Sequence, residues 1–159
     1  MNVKCIYGIG LLLFCLQGQA GPANSSGREW AAAHNGYRAR VGSPPLVWSD
    51  RLAVRAQQWA ATLIARGLFV PRRDGQSGEN LYEISGGHAG PAQVVAGWMS
   101  EEANYNRATN SCTARCGHYT QVIWHDTKSV GCGVARDGRR EVWVCDYTPP
   151  GNIVGERPY

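Results

Sequence analysis

The first twenty residues set the chemical conditions under which the rest of the chain must fold. Lys4 supplies a positive start, Cys5 to Leu16 form a 12-residue apolar run, and Gly18-Gln19-Ala20 closes on small residues. That order is the pattern of a secretory signal peptide cut after Ala20, and the run falls well short of the roughly 20 apolar residues that cross a bilayer. No later stretch approaches that length. The expectation is a secreted, extracellular protein without a membrane span, folding where disulfides persist. Four cysteines remain beyond the leader: Cys112, Cys116, Cys132 and Cys145. An even set in an exported chain favours disulfides over metal or redox chemistry. A zinc knuckle would also place a second tight pair beside Cys112 and Cys116, whereas Cys132 and Cys145 stand apart.

The 159 residues suffice for one domain, expected over 28–159 behind a flexible segment at 21–27. With 43% hydrophobic and 18% charged residues, the balance is that of a globular chain, not a disordered one. The net charge of +4 is spread without any run of four basic residues, so nucleic acid is not an expected partner. Periodicity then orders the elements. Ser26-Gly27-Arg28-Glu29 has capping-box spacing, and Trp30, Ala33, His34, Tyr37 and Val41 follow on one helical face until Gly42 and Pro44-Pro45. Ser49 caps a second helix with Leu52, Ala56, Trp59 and Leu63 inward and Gly67 at its end. Pro71 to Asn80 reads as a loop, Leu81 to Ile84 as a short apolar piece, and Pro91 opens a third helix with Val94, Val95, Trp98 and Met99 inward. Beyond it, Tyr119 with Val122, Ile123 and Trp124, then Val130 to Ala135, then Val142 to Tyr147 read as β-branched or aromatic strands, the last two joined by a hairpin at Asp137-Gly138. Helices first and hairpins later predict an α+β fold with a mostly antiparallel sheet.

Phosphate loops, zinc-protease motifs and the Gly-x-Ser-x-Gly nucleophile turn are all missing from the sequence. His34 falls on the inward face of the first helix and is expected to be a buried structural residue, with Arg38 pairing to a nearby acid; His88 and His125 read as solvated. Two segments carry more information. Gly117-His118-Tyr119-Thr120-Gln121-Val122-Ile123-Trp124 and Val144-Cys145-Asp146-Tyr147-Thr148-Pro149-Pro150-Gly151-Asn152 resemble the signature motifs of the CAP superfamily: cysteine-rich secretory proteins, antigen five and pathogenesis-related class one proteins. His34-Asn35-x-x-Arg38, Gly78-Glu79-Asn80, Trp98-Met99-Ser100-Glu101 and the Arg157-Pro158-Tyr159 ending fall in the family's order, closest to the plant-type members.

The resemblance implies a three-layer α-β-α sandwich with a cleft lined by two histidines and two glutamates. Matched residue by residue, His118, Glu79 and Glu101 supply three of the four. The remaining histidine should precede Glu79, where this chain has Arg72, Arg73 and Asp74. Asp74 is then the only candidate for a fourth ligand, with His118 and Glu79 as weak metal candidates. One imidazole among acids suits zinc poorly, so neither a metal nor another cofactor is expected. Arg72 or Arg73 can instead pair with Glu79, putting a positive charge where the histidine is missing. The resemblance brings three functional readings. The first is a recognition or carrier protein in defence, stress or host interaction, taking a sterol, fatty acid or extracellular protein partner; the loop from Asn104 to Cys116 would rim its groove. The second is a hydrolase working through His118, Glu79 and Glu101. The third is a precursor whose Pro149 to Tyr159 segment is released as a signal.

The resemblance also pairs Cys112 with Cys116 and Cys132 with Cys145. If Cys132 faces Cys145 in a hairpin, Arg136 faces Glu141 and Asp137 to Arg140 form a four-residue loop. A two-residue Asp137-Gly138 turn would need a different register, so the bridge and the tightest turn are incompatible without a bulge. The Cys132–Cys145 bridge closes the longer loop, and its removal by double Cys→Ser substitution should cost more, on the order of 2 to 4 kcal/mol. Thermal melts of the two double variants check this, and equal losses would refute it.

Overall fold

The computed structural model describes residues 25–159. The expected signal peptide and residues 21–24 of the expected flexible segment lie outside the described residues. Residues 25–27 are not flexible coil, because they open helix α1 (Ser25–Val41). Ser26 therefore lies in the first turn and not ahead of it. The turn is held by packing, since a side chain at Gly27 would come within 2.8 Å of the Trp48 ring.

Helix α2 (Asp50–Arg66) begins and ends where its sequence signals place it. Ser49 Oγ accepts from Leu52 N at 3.4 Å, and Gly67 takes a left-handed φ of 63°. The Gly67 and Leu68 amides then return to the Ile64 and Leu63 carbonyls at 3.1 and 2.9 Å. Its buried face is Leu52, Ala56, Ala60 and Leu63, with Trp59 rotated half outward to donate to Val70 O. Small residues are needed because the helix lies almost on the sheet backbone: a Cβ on Gly131 would sit 2.2 Å from Ala53 N, and one on Gly133 would sit 2.4 Å from Gln57 Cα.

The sheet has the order β1 (Val47–Trp48), β5 (Ser129–Arg136), β6 (Arg140–Thr148), β2 (Gly78–Ser85). Only the β1–β5 pair is parallel. Along β6, Val142, Val144 and Asp146 face α2, while Trp143, Cys145 and Tyr147 face a second layer made of α1, α3 (Pro91–Met99) and α4 (Gly117–Ile123). These are three layers, α2, sheet and helical group. A small β3–β4 ribbon (Tyr105–Asn106, Ser111–Cys112) lies outside them. Both disulfides join the expected partners. Cys132 faces Cys145 and Arg136 faces Glu141, so the register of the bridge prevails over a two-residue turn. Asp137 Oδ1 closes the loop by accepting from the Arg139 and Arg140 amides, both at 2.9 Å.

Three expectations need correction. Tyr119, Val122 and Ile123 belong to α4, not to a strand. Their spacing fits a helix whose residues Tyr119 to Ile123 are all buried, and burial on every side overrides β-branched propensity. Strand β2 begins at Gly78 and not at Leu81, so Glu79 and Asn80 lie on a strand paired to Asp146 and Cys145. Finally, Arg38 meets no acid among the described residues. Fully buried, it donates to the carbonyls of Pro44 (2.7 Å), Val122 (2.9 Å), Trp124 (2.8 Å), Thr127 (3.0 Å) and His125 (3.4 Å).

Burial lowers the Arg38 pKa to about 10, so the guanidinium remains charged at neutral pH. Arg38→Met keeps most of the volume and removes every donor, orphaning buried carbonyls at the end of α4. A loss on the order of 3 kcal/mol or more is expected in urea unfolding, with Arg38→Lys recovering part of it; a loss below 1 kcal/mol would refute the anchoring role.

Candidate functional site

Strand β2 is a free edge of the sheet, and a cleft of about 430 Å³ opens along it. Successive β2 side chains alternate between layers. Glu79 and Leu81 lie on the α2 side, and Asn80 reaches across to His118 O at 3.0 Å. His118, at the start of α4, lines the same cleft. The Glu101 carboxylate holds it twice, accepting from the backbone N at 2.9 Å and from ring Nδ1 at 2.7 Å. Glu101 comes from the single 3-10 turn Ser100–Asn104 that follows α3. The His118 ring stacks on Trp98 at a centroid distance of 6.4 Å. Its position, tilt and tautomer are thereby set, leaving Nε2 as the ring nitrogen without a hydrogen bond among the described residues.

Glu79 is differently placed. Oε1 accepts from the Arg72 backbone N at 2.8 Å, and Oε2 is buried without a hydrogen bond, 3.9 Å from Arg72 Nη2. Burial raises its pKa to about 7, and the negative charges of Asp146 and Asp74 add to this, against the hydrogen bond and charge of Arg72. Beneath it, fully buried Asp146 shares Oδ2 between Arg55 Nε (3.1 Å) and Arg72 Nη1 (3.0 Å), while Oδ1 has no hydrogen-bond partner among the described residues. Burial raises this carboxyl too, opposed by the two guanidiniums. Arg72 thus stands where the resemblance leads one to expect a histidine, and ties Glu79 to Asp146.

The structure brings Glu101 and His118 into contact and sets Glu79 in the same cleft. Asp74 it places elsewhere, in a recess over α2, where Arg55 Nη2 binds both carboxylate oxygens at 2.7 and 2.8 Å. A metal does not fit the cleft. Arg72 sets a permanent positive charge 3.9 Å from Glu79 Oε2, where a cation would have to sit. Among the described residues no three His, Cys, Asp or Glu side chains converge as a metal site.

Sequence reasoning missed Asp146 and the chain behind it. A carboxylate on the sheet-buried register of β6, between Val144 and the α2 face, was the available signal. Asn80 Nδ2 approaches Tyr147 Oη (3.4 Å), which donates to His34 Nε2 (2.9 Å), and His34 Nδ1 donates to Trp30 O (2.8 Å). Burial lowers the His34 pKa to about 4, the Trp30 carbonyl opposing and the Arg38 charge adding to it. His34 is therefore the neutral, buried structural residue its helical face predicted. His88 is largely exposed but donates to Glu141 Oε2 at 3.0 Å. Glu141 is buried, which alone would raise its pKa, yet donors from His88, Arg136, Ala89 and Trp143 hold it to about 2. His125 lies exposed beside Asp126.

This constellation of cleft, sandwich and disulfides agrees with the comparisons with known proteins. The chain belongs to the CAP family, the cysteine-rich secretory protein family, whose profile matches residues 31–147. It is 41% identical over 152 residues to pathogenesis-related protein 1A of Nicotiana tabacum, covering 94% of this chain and 90% of that one. It is 38% identical over 138 residues to pathogenesis-related protein 1 of Arabidopsis thaliana, covering 86% and 84%. Among solved structures, Schistosoma mansoni venom allergen-like protein 4 superposes with a TM-score of 0.68 at 27% identity, covering 85% of this chain and 94% of that one.

Two buried groups give opposite pH signatures. Native His34 stays neutral down to about 4, so its contribution is present above 6.5 and is lost as pH falls through that window. Native Glu79 keeps its proton up to about 7 while the unfolded chain releases it near 4.5, so stability falls as pH rises between those values. Relative to wild type, Glu79→Gln should therefore gain stability with rising pH across 4.5 to 7, on the order of 2 to 3 kcal/mol at the upper end. Urea unfolding at several pH values tests this; parallel wild-type and variant profiles would refute it.

Proposed function

We propose that this is an extracellular defence- or stress-related protein whose cleft holds an amphipathic lipid, a sterol or a fatty acid. The carrying observation is the lip of the cleft. Leu68, Phe69 and Val70 are 40%, 45% and 43% exposed in succession, and Phe69 and Pro71 line the cleft together with Asn80, Arg115, His118 and Asn152. An uninterrupted apolar run left in water beside a polar floor is the chemistry of a site taking an apolar body with one polar end. From the loop that ends at Cys116, Arg115 contributes to the cleft lining, whereas Asn104 to Ala108 and Thr113 line a separate recess. The disulfides suit an oxidising compartment, and relatives named pathogenesis-related supply the defence context.

One observation favours a second reading, a hydrolase. The Glu101–His118 pair leaves Nε2 as a base, and Glu79 titrates at about 7 in the same cleft. Titrating the mature protein with a fluorescent sterol and a fluorescent fatty acid separates the two. Saturable binding of either, weakened at least tenfold (about 1.4 kcal/mol) by Phe69→Asp, is expected. No saturable binding would end the carrier reading, and ester turnover abolished in both His118→Ala and Glu79→Gln would establish the hydrolase.

A further inference from the structure

The opposite side of the sheet carries a second feature. Strand β1 covers only Ser129 and Val130 of β5, so the rest of β5 is an edge. Its outward groups can be followed residue by residue. The Lys128 and Val130 carbonyls accept from Val47 N and Ser49 N, both at 2.9 Å. Four residues beyond Val130, the Val134 N–H donates to Gln57 Oε1 (3.0 Å) and the Val134 C=O accepts from Gln57 Nε2 (2.7 Å). The Gln57 amide thus binds Val134 as a peptide unit of a neighbouring strand would. Cys132 lies between, and strand alternation turns its N–H and C=O to the same edge. No hydrogen bond reaches either group among the described residues.

These groups open into a groove of about 700 Å³ between α1 and α2, walled by Trp30, Trp48, Trp143 and Val54. Val54 is 59% exposed. Among the described residues the only charged side chains lining it are Glu29 and Asp50, in a chain whose net charge is +4. The open edge selects an extended backbone, the part-exposed Trp48 indole and exposed Val54 offer an apolar wall, and the two carboxylates select positive charge.

We propose that this groove binds an extended peptide segment carrying a basic side chain, added as a strand along β5 at Cys132. The site lies on the other side of the sheet from the β2 cleft and does not depend on the lipid reading. The probe is a capped pentapeptide alternating valine and arginine, titrated into the folded protein by calorimetry and followed by backbone amide NMR shifts. Saturable binding is expected, with the largest shifts at Cys132 and Val134. Replacing arginine by glutamate in the peptide, or N-methylating its strand-pairing amides, should weaken binding at least tenfold. Glu29→Gln should weaken it several-fold and Val54→Lys at least tenfold; both positions are exposed, so the fold survives. No binding at millimolar peptide would overturn the proposal, as would equal binding of the N-methylated or glutamate peptides. Self-association of the protein that protects Cys132 in place of peptide binding would overturn it in favour of edge pairing between copies.

Discussion

A single buried cation holds the second layer together. Arg38, on α1, presents its guanidinium to backbone carbonyls of the 42–46 connection, the end of α4 and the turn that leads into β5. A helix that ends inside a protein leaves carbonyls without partners, and water is not there to take them. Arg38 takes the Val122 and Trp124 carbonyls, and Ser43 Oγ takes Ile123 O at 2.7 Å. A planar fork with several fixed donors is suited to this task, which explains why no carboxylate is needed beside it. With the end of α4 fixed, its first turn is fixed too, and with it His118. The same turn places Thr127, which donates to Pro149 O at 3.0 Å, and Gln121 beside it accepts from Gly151 N at 3.0 Å. The C-terminal segment is thereby docked against the helix that carries the cleft histidine, and its Asn152 lines the cleft.

The cleft shows what one changed residue does to its neighbours. Glu79 and Asp146 are cross-strand partners on one face, both carboxylates and both buried. Two such charges a strand apart in low dielectric repel strongly. Arg72 lies between them, and its guanidinium is nearer to Asp146 than to Glu79. Burial is the main cause of Glu79 holding its proton up to about 7, and the Asp146 charge adds to it against the hydrogen bond and charge of Arg72. An imidazole in place of Arg72 would remove that permanent charge. The cleft of this chain is thus defined by a protonatable glutamate and a glutamate-clamped histidine, on either side of the β2 edge.

The two edges of the sheet are treated differently. At β2 the edge is occupied by a cleft with polar side chains and an apolar lip. At β5 it is partly closed by a short parallel strand and a glutamine amide, and otherwise left open between helices. Exposed strand edges invite pairing, and proteins usually blunt them. Gln57 does so at Val134, and leaves the position at Cys132 open.

Much of this protein was legible in its residues. The Ser49 and Gly67 caps, the inward face of α3, the β5–β6 hairpin and the burial of His34 follow from local spacing, because caps and periodicity report the chain's own short-range geometry. Motifs named Glu79, Glu101 and His118 as candidates, and the missing histidine pointed to Arg72 or Arg73 as a partner of Glu79. What local pattern could not decide was anything set by partners distant in the chain. α4 reads as a strand because its β-branched residues are favoured there in isolation, and only burial on every side makes it a helix. Arg38 has no acid to find in the sequence, since its partners are carbonyls made available by the end of that same helix. Asp74 reads as a cleft ligand by proximity to Glu79, yet Arg55 on α2, 19 residues away in sequence, draws it to another recess. Asp146 and the open edge at Cys132 exist as features only once the sheet has assembled, because burial and an unpaired strand edge are properties of the packed molecule.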